Sequence, residues 1–152
     1  METLLSVIAI ALSVLSGGFA LFVFLWTNRR DRKQATLEAY NRLQSEVFDK
    51  LNTYTPSQIQ NICLDKQSVE YKTISAYVAR IEHFCVGLNE KIYDKNTFYA
   101  LAHGYFDGHQ LRKRIEPLIV SKNQTGNTKE VFYNDTISVL SWMKKRQKII
   151  RK

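Results

Sequence analysis

The chain has 152 residues and a formal net charge of +8 at pH 7. That length leaves room for one domain of ordinary size, or for a membrane segment and a smaller domain, and excludes a larger set of domains. The charge is clustered: Arg29, Arg30, Arg32 and Lys33 form one group, and Lys144, Lys145, Arg146, Lys148, Arg151 and Lys152 close the chain.

From Leu4 to Trp26 no residue is charged and most are Leu, Val, Ile, Ala or Phe. As a helix the stretch is about 34 Å long, enough to cross a hydrocarbon core of roughly 30 Å. It is read as a spanning segment. A secretory signal is the competing reading, but the stretch has no basic start, is too long, and ends in Phe24, Leu25 and Trp26 rather than small residues. Positive charge after the span and only Glu2 before it predict an N-terminus in the periplasm, with the remainder in the cytoplasm of a bacterial inner-membrane protein.

Below the membrane, Ala35 to Asn52 lacks Gly and Pro and carries Leu37, Tyr40, Leu43, Val47 and Leu51 at three- and four-residue steps, predicting a connecting amphipathic helix. Thr55, Pro56 and Gln58 predict the start of a short helix by their capping pattern. Val69 to Glu90 is the clearest periodic stretch, with Ile74, Tyr77, Val78, Ile81, Phe84, Cys85 and Leu88 on one stripe, and is expected to be the central helix. Asp94 should cap the next, which contains Phe98, Leu101 and Ala102 before a break near 104–109. Further basic helical turns follow from His109 to Val120, slowed by Pro117, then a polar loop from Ser121 to Lys129. Asn127 and Glu130 resemble a capping pair opening a last helix, with Phe132, Ile137, Leu140 and Met143 on its apolar side.

The expected fold is therefore all-α: a single N-terminal transmembrane helix continuing into a cytoplasmic helical bundle. Residues 1–27 form the transmembrane helix, 28–54 the basic juxtamembrane segment and connecting helix, and 55–152 the cytoplasmic helical domain. Cys63 and Cys85 read as reduced core thiols. His83 and Cys85, two residues apart, point to different helix faces, so no metal and no cofactor is expected.

Small residues recur along the spanning helix. Ser6, Ala9, Ser13, Ser16 and Ala20 fall at alternating three- and four-residue steps, Gly17 adds a small-xxx-small pair with Ser13, and Glu2 extends the face. Such a seam lets helices approach closely. One reading is an anchor that dimerises. The sharper one is a pore of several copies, a tetramer as first guess, with Ser and Gly inward and a ring of Glu2 carboxylates at the periplasmic mouth.

The basic run His109, Arg112, Lys113, Arg114 follows Tyr105 and Phe106. Aromatic and Arg groups together can stack bases and hold phosphates, so these six residues are the candidate ligand site, for a nucleotide or short oligonucleotide. The plain alternative is a solvated helix face. The tail from Lys144 to Lys152 suits either solvent or anionic membrane lipid. No phosphate loop, nucleophile motif or paired carboxylates specify catalysis, and a non-enzyme is expected.

The stretch ARIEHFCVGLNEKIYDKNTFYALAHGYF, from Ala79 to Phe106, leads into a basic run, a Pro and a Trp-bearing last helix. In that pattern the chain resembles a broad family of uncharacterised bacterial proteins with one N-terminal membrane helix and a helical domain. By architecture and basic charge it also looks like the membrane effectors of nucleotide-signalling anti-phage systems, the Hailong type nearest. That likeness implies a channel governed by an oligonucleotide made by a nucleotidyltransferase, which would act on this chain through its product. The competing expectation is a membrane-tethered adaptor whose domain recruits a protein partner.

Overall fold

A computed structural model describes residues 2–107, 110–123 and 133–150. Every regular element among them is helical. Helix α1 (Glu2–Leu43) runs without a break from the apolar stretch into the domain, continues through a π-helical turn (Gln44–Phe48), and ends in the short α2 (Asp49–Leu51). There follow α3 (Pro56–Ile62), α4 (Val69–Asn89), α5 (Lys95–Asp107), α6 (Gln110–Asn123) and α7 (Asn134–Ile150). Among the described residues one helix is thus long and apolar enough to cross a membrane, and it is followed by a helical domain.

In the upper half of α1 the large apolar side chains Val14, Leu15, Phe19, Phe22 and Trp26 are all exposed. From Thr36 downward the same helix changes character. Tyr40, Leu43, Val47, Phe48 and Leu51 enter one core with α4, α5, α6 and α7. Segment 28–54 is therefore a connector only in its first turns; its lower part is a wall of the domain. The expected stripe differs at one place: Leu37 is 42% exposed, whereas Thr36 is fully buried. The π turn has a packing consequence. Val47 and Phe48 are adjacent yet both buried, and one inserted residue widens the helix so that this pair and Leu51 face the core together.

The capping pattern at Thr55 is fulfilled in both directions, since Gln58 N–H donates to Thr55 Oγ1 at 3.3 Å and Thr55 N–H to Gln58 Oε1 at 2.7 Å. Ser68 caps α4 in one direction, accepting from Tyr71 N–H at 3.1 Å. Helix α4 buries Tyr71, Ile74, Val78, Ile81, Phe84, Cys85 and Leu88, the expected stripe except that Tyr77 stays half-buried at its edge. Gly87 is required by packing: a Cβ there would lie 2.5 Å from the Tyr93 ring, which folds back over the helix and stacks on Phe84 with centroids 5.0 Å apart.

Helix α4 runs back along α1, as Arg80 pairs with Glu46 at 2.8 Å and the loop after α4 reaches Arg32. Asp94 then caps α5, accepting from Thr97 N–H at 2.7 Å. Helix α5 descends alongside α1, with the Tyr40 hydroxyl donating to Leu101 O at 3.5 Å. Pro117 lies inside α6 without ending it, and α6 extends to Asn123, so the first residues of the expected loop are helical. The expected capping pair Asn127 and Glu130, and Phe132, lie outside the described residues. Helix α7 begins at Asn134 and buries Thr136, Val139 and Met143; Ile137, expected inside, is 36% exposed and Leu140 half-buried.

Candidate functional site

The junction between rod and domain is a set of directional bonds. Thr36 Oγ1 donates to Arg32 O at 2.6 Å and accepts from Asp94 N–H at 2.7 Å, and Arg32 Nη2 donates to Tyr93 O at 3.3 Å. Burial works to raise the Asp94 carboxyl. The Thr97 N–H and hydroxyl together with the charges of Lys33 and Arg32 outweigh it and hold the group below its ordinary value. The loop before α5 is therefore clamped to α1 by hydrogen bonds and charge together. From Trp26 to Thr36 is about 15 Å of helix, so the domain begins close under the end of the apolar stretch.

Along that stretch the candidate packing residues Ser6, Ser13, Ser16 and Ala20 are exposed, and a Cβ added at Gly17 would meet nothing within 4 Å. Glu2 and Ala9 belong to the same helix, their side chains lying outside the described part. Ser16 Oγ donates to Ser13 O at 3.2 Å, which satisfies that hydroxyl within its own helix and lets it face lipid or a neighbouring helix at little cost. A heptad seam drifts only about 20° per seven residues on a straight helix, so Ser6 to Ala20 remains one face.

Within the basic run, Arg112, Lys113 and Arg114 do not form one surface. Arg112 is exposed and pairs with Glu116 at 3.6 Å. It also borders a cavity of about 200 Å³ between α6 and α7 that Ile115, Ile119, Ile137 and Leu140 line. Lys113 is exposed beside Pro56, Ser57 and Gln60 of α3. Arg114 turns inward, its Nε donating to Tyr54 O at 3.1 Å and tying α6 to the chain before α3. Three consecutive helical residues point about 100° apart, and here each has a different surrounding. Tyr105 and Phe106 are in the last turns of α5, their side chains outside the described part, and His109 is outside the described residues altogether.

An aromatic and cationic group that sequence reasoning missed lies instead between α5 and α7. The Arg146 guanidinium sits 4.6 Å from the Tyr99 ring centre and 5.6 Å from that of Trp142, with Nη1 donating to Asn96 Oδ1 at 2.6 Å. Tyr99 and Trp142 meet edge to face at 5.9 Å, His103 stacks on Tyr99 at 5.7 Å, and Lys95 Nζ is 5.8 Å from Trp142. The sequence carries half of this signal, because Tyr99 with His103 and Trp142 with Arg146 are each four residues apart on a helix. That the two pairs face each other depends on how α7 docks.

Docking of α7 is set by Glu82 of α4. Its carboxylate accepts from Asp135 N–H at 3.0 Å, from Thr136 N–H at 2.8 Å and from the Thr136 hydroxyl at 2.5 Å. Asn89 Nδ2 donates to Asp135 Oδ1 at 2.6 Å and Lys95 Nζ to Asn89 Oδ1 at 2.8 Å, extending the chain of bonds to α5. Next to Glu82, burial pushes the Cys85 thiol up to about 12, the Thr136 hydrogen bond working the other way. Tyr133 is likewise raised to about 12 by burial and by Tyr71 and Glu82. Both groups are neutral in the folded chain, with folded-state values above their ordinary ones. The stability they lend is complete below about pH 9 and is lost as pH rises towards 12. Alkylation with iodoacetamide at pH 8 should accordingly leave Cys85 unmodified until denaturant is added, while half-buried Cys63 reacts slowly in the native protein; mass spectrometry finding Cys85 modified without denaturant would contradict the buried placement.

Comparison with known proteins gives no match: no family model, no curated protein and no solved structure is similar to the chain.

Proposed function

We propose that the chain is a membrane-anchored homo-oligomeric effector of anti-phage defence. Four copies pack the Ser6 to Ala20 face inward and form an ion-conducting pore. The domain lies in the cytoplasm and responds to a nucleotide or short oligonucleotide, the product of a nucleotidyltransferase, and loss of membrane potential arrests the host. The observation that carries this reading is continuity: an apolar helix with a small-residue face runs unbroken into a domain clamped to it at Arg32, Thr36 and Tyr40. A ligand preferring one arrangement of the domains then shifts the arrangement of the helices above. Arg112 and Lys113, both exposed on α6, are where cationic side chains offer themselves to such a ligand.

Reconstitution in planar bilayers tests the pore. Single-channel current is expected from the full chain, and Ser13→Leu or Gly17→Val should lower it about tenfold or more by filling the seam. Absence of current above lipid background, or current indifferent to both changes, would overturn the proposal.

A second reading has its own support. The domain encloses a core that draws on α1 from Ala39 onward, so the apolar part is separable from it. As a membrane-tethered adaptor the chain would recruit a protein partner and conduct nothing. Exchanging residues 1–27 for an unrelated spanning helix distinguishes the two: host arrest retained in the chimera favours the adaptor, and arrest abolished favours the pore.

A further inference from the structure

Two cationic clusters far apart in the sequence approach one end of the fold. Arg29, Arg30 and Lys33 follow the apolar stretch and, with Trp26, line a hollow of about 280 Å³ where the helix leaves it. One turn on, Asp94 N–H meets Thr36, which fixes the first turn of α5 against α1. That same turn receives α7, because Arg146 bonds Asn96 and lies over Tyr99. Lys144 and Lys145, just before Arg146, are exposed. Asp31 lies between Arg30 and Arg32 in the chain, and Asp94, whose carboxyl feels Lys33 and Arg32, is engaged with Thr97.

Resting on the reading that α1 crosses the bilayer, we propose that the α5–α7 surface around Lys144, Lys145 and Arg146 is a second membrane contact, which binds anionic phospholipid headgroups of the leaflet that faces the domain. Position and chemistry both favour a lipid surface. The first turn of α5 is about 15 Å along the rod from Trp26, the headgroup layer occupies several ångströms of that, and Lys and Arg side chains together with screening lengths near 8 Å cover the rest. Trp and Tyr beside Lys and Arg is the composition of a membrane–water interface. Each basic residue held near an anionic surface favours the docked state about fivefold. The domain would then sit close against an anionic leaflet and stand away from a neutral one, with no hinge needed in α1 because the surface already lies at its membrane end.

The sequence has two tryptophans, Trp26 and Trp142, so Trp26→Phe leaves Trp142 as a single reporter beside the surface. The full-length variant is placed in nanodiscs of phosphatidylcholine alone, or of phosphatidylcholine with phosphatidylserine, each carrying a headgroup-attached spin label. Quenching of Trp142 emission is expected to be stronger in the anionic discs and to fall with added salt. Adding Lys144→Glu and Lys145→Glu, both at exposed positions, should lower docking about tenfold or more at unchanged helicity. Equal quenching in both lipids, or quenching untouched by charge reversal, overturns the inference. So does a single-stranded oligonucleotide that binds this surface in neutral discs and is lost on the same charge reversal while phosphatidylserine has no effect. A chain that does not enter the discs overturns the anchoring reading and this inference together, whereas one that enters and shows no lipid dependence overturns this inference alone.

Discussion

Glu82→Ala should cost about 3 kcal/mol of domain stability and lower the thermal midpoint by roughly 10 °C. The four leading N–H groups of a helix have no partner within it, and α7 obtains two of its acceptors from a single carboxylate on another helix. Truncation leaves Asp135 N–H, Thr136 N–H and the fully buried Thr136 hydroxyl with no carboxylate, and each unsatisfied buried donor costs about 1–3 kcal/mol, partly recovered where water enters. A negative charge at a helix N-terminus is lost as well. Glu82→Gln should fall between the two, since one carboxylate oxygen becomes an NH₂ that faces donors. Glu90→Ala, eight residues on and exposed, should change little. Thermal unfolding followed by circular dichroism in detergent measures the series. A midpoint for Glu82→Ala within about 2 °C of the parent would mean that α7 is held by apolar burial alone.

The same carboxylate shows why one part of the fold was legible in the sequence and another was not. Periodicity and capping are local, and they located the long apolar helix, the start of α3 at Thr55 and the stripe of α4 from Ile74 to Leu88. Helix α7 opens at Asn134, with acceptors supplied to Asp135 by a residue 53 positions earlier in the chain. No local pattern encodes that. Leu37 and Thr36 exchange roles for a related reason: a polar side chain is worth burying where it joins two segments, and the second segment, at Asp94, is 58 residues away. Pro117 reads as a helix breaker because its interior cost is about 3 kcal/mol, yet Leu111, Ile115 and Leu118 are fully buried around it, and apolar burial of this size exceeds the penalty. At the candidate site, residue types were legible and directions were not. The run Arg112 to Arg114 has the composition of an anion site, but helical geometry sends its members to Glu116, to solvent and to Tyr54. Tyr99 and Arg146 meet only because α7 crosses α5.

Thr36→Val combined with Arg32→Ala should separate the two activities of the proposed effector, leaving a conducting pore that no longer answers to its signal. Val keeps the shape of Thr and removes the hydroxyl that bridges Arg32 O and Asp94 N–H; Ala removes the tether to Tyr93 O. The apolar contacts of Tyr40, Leu43 and Val47 persist, so the domain should stay folded at a loss of about 2 kcal/mol. Apolar burial is non-directional and permits small rotations of one surface over another, whereas two hydrogen bonds, Asp94 N–H to Thr36 and Arg32 to Tyr93 O, fix the loop before α5 to one face of α1. Torque about the rod passes through the bonds more than through the grease. A domain rotation driven by bound oligonucleotide would therefore slip in the double variant, and the ligand-dependent change in current should fall at least about fivefold, the coupling lost when roughly 1 kcal/mol of differential interaction is removed. Basal current from the unchanged seam should remain within a factor of two of the parent. Current recorded with and without oligonucleotide, alongside a melting curve to establish that the domain is intact, decides the matter. If the double variant is folded and still responds in full, coupling runs through the core at Tyr40 and Val47, and the hydrogen-bonded clamp serves only to hold the loop.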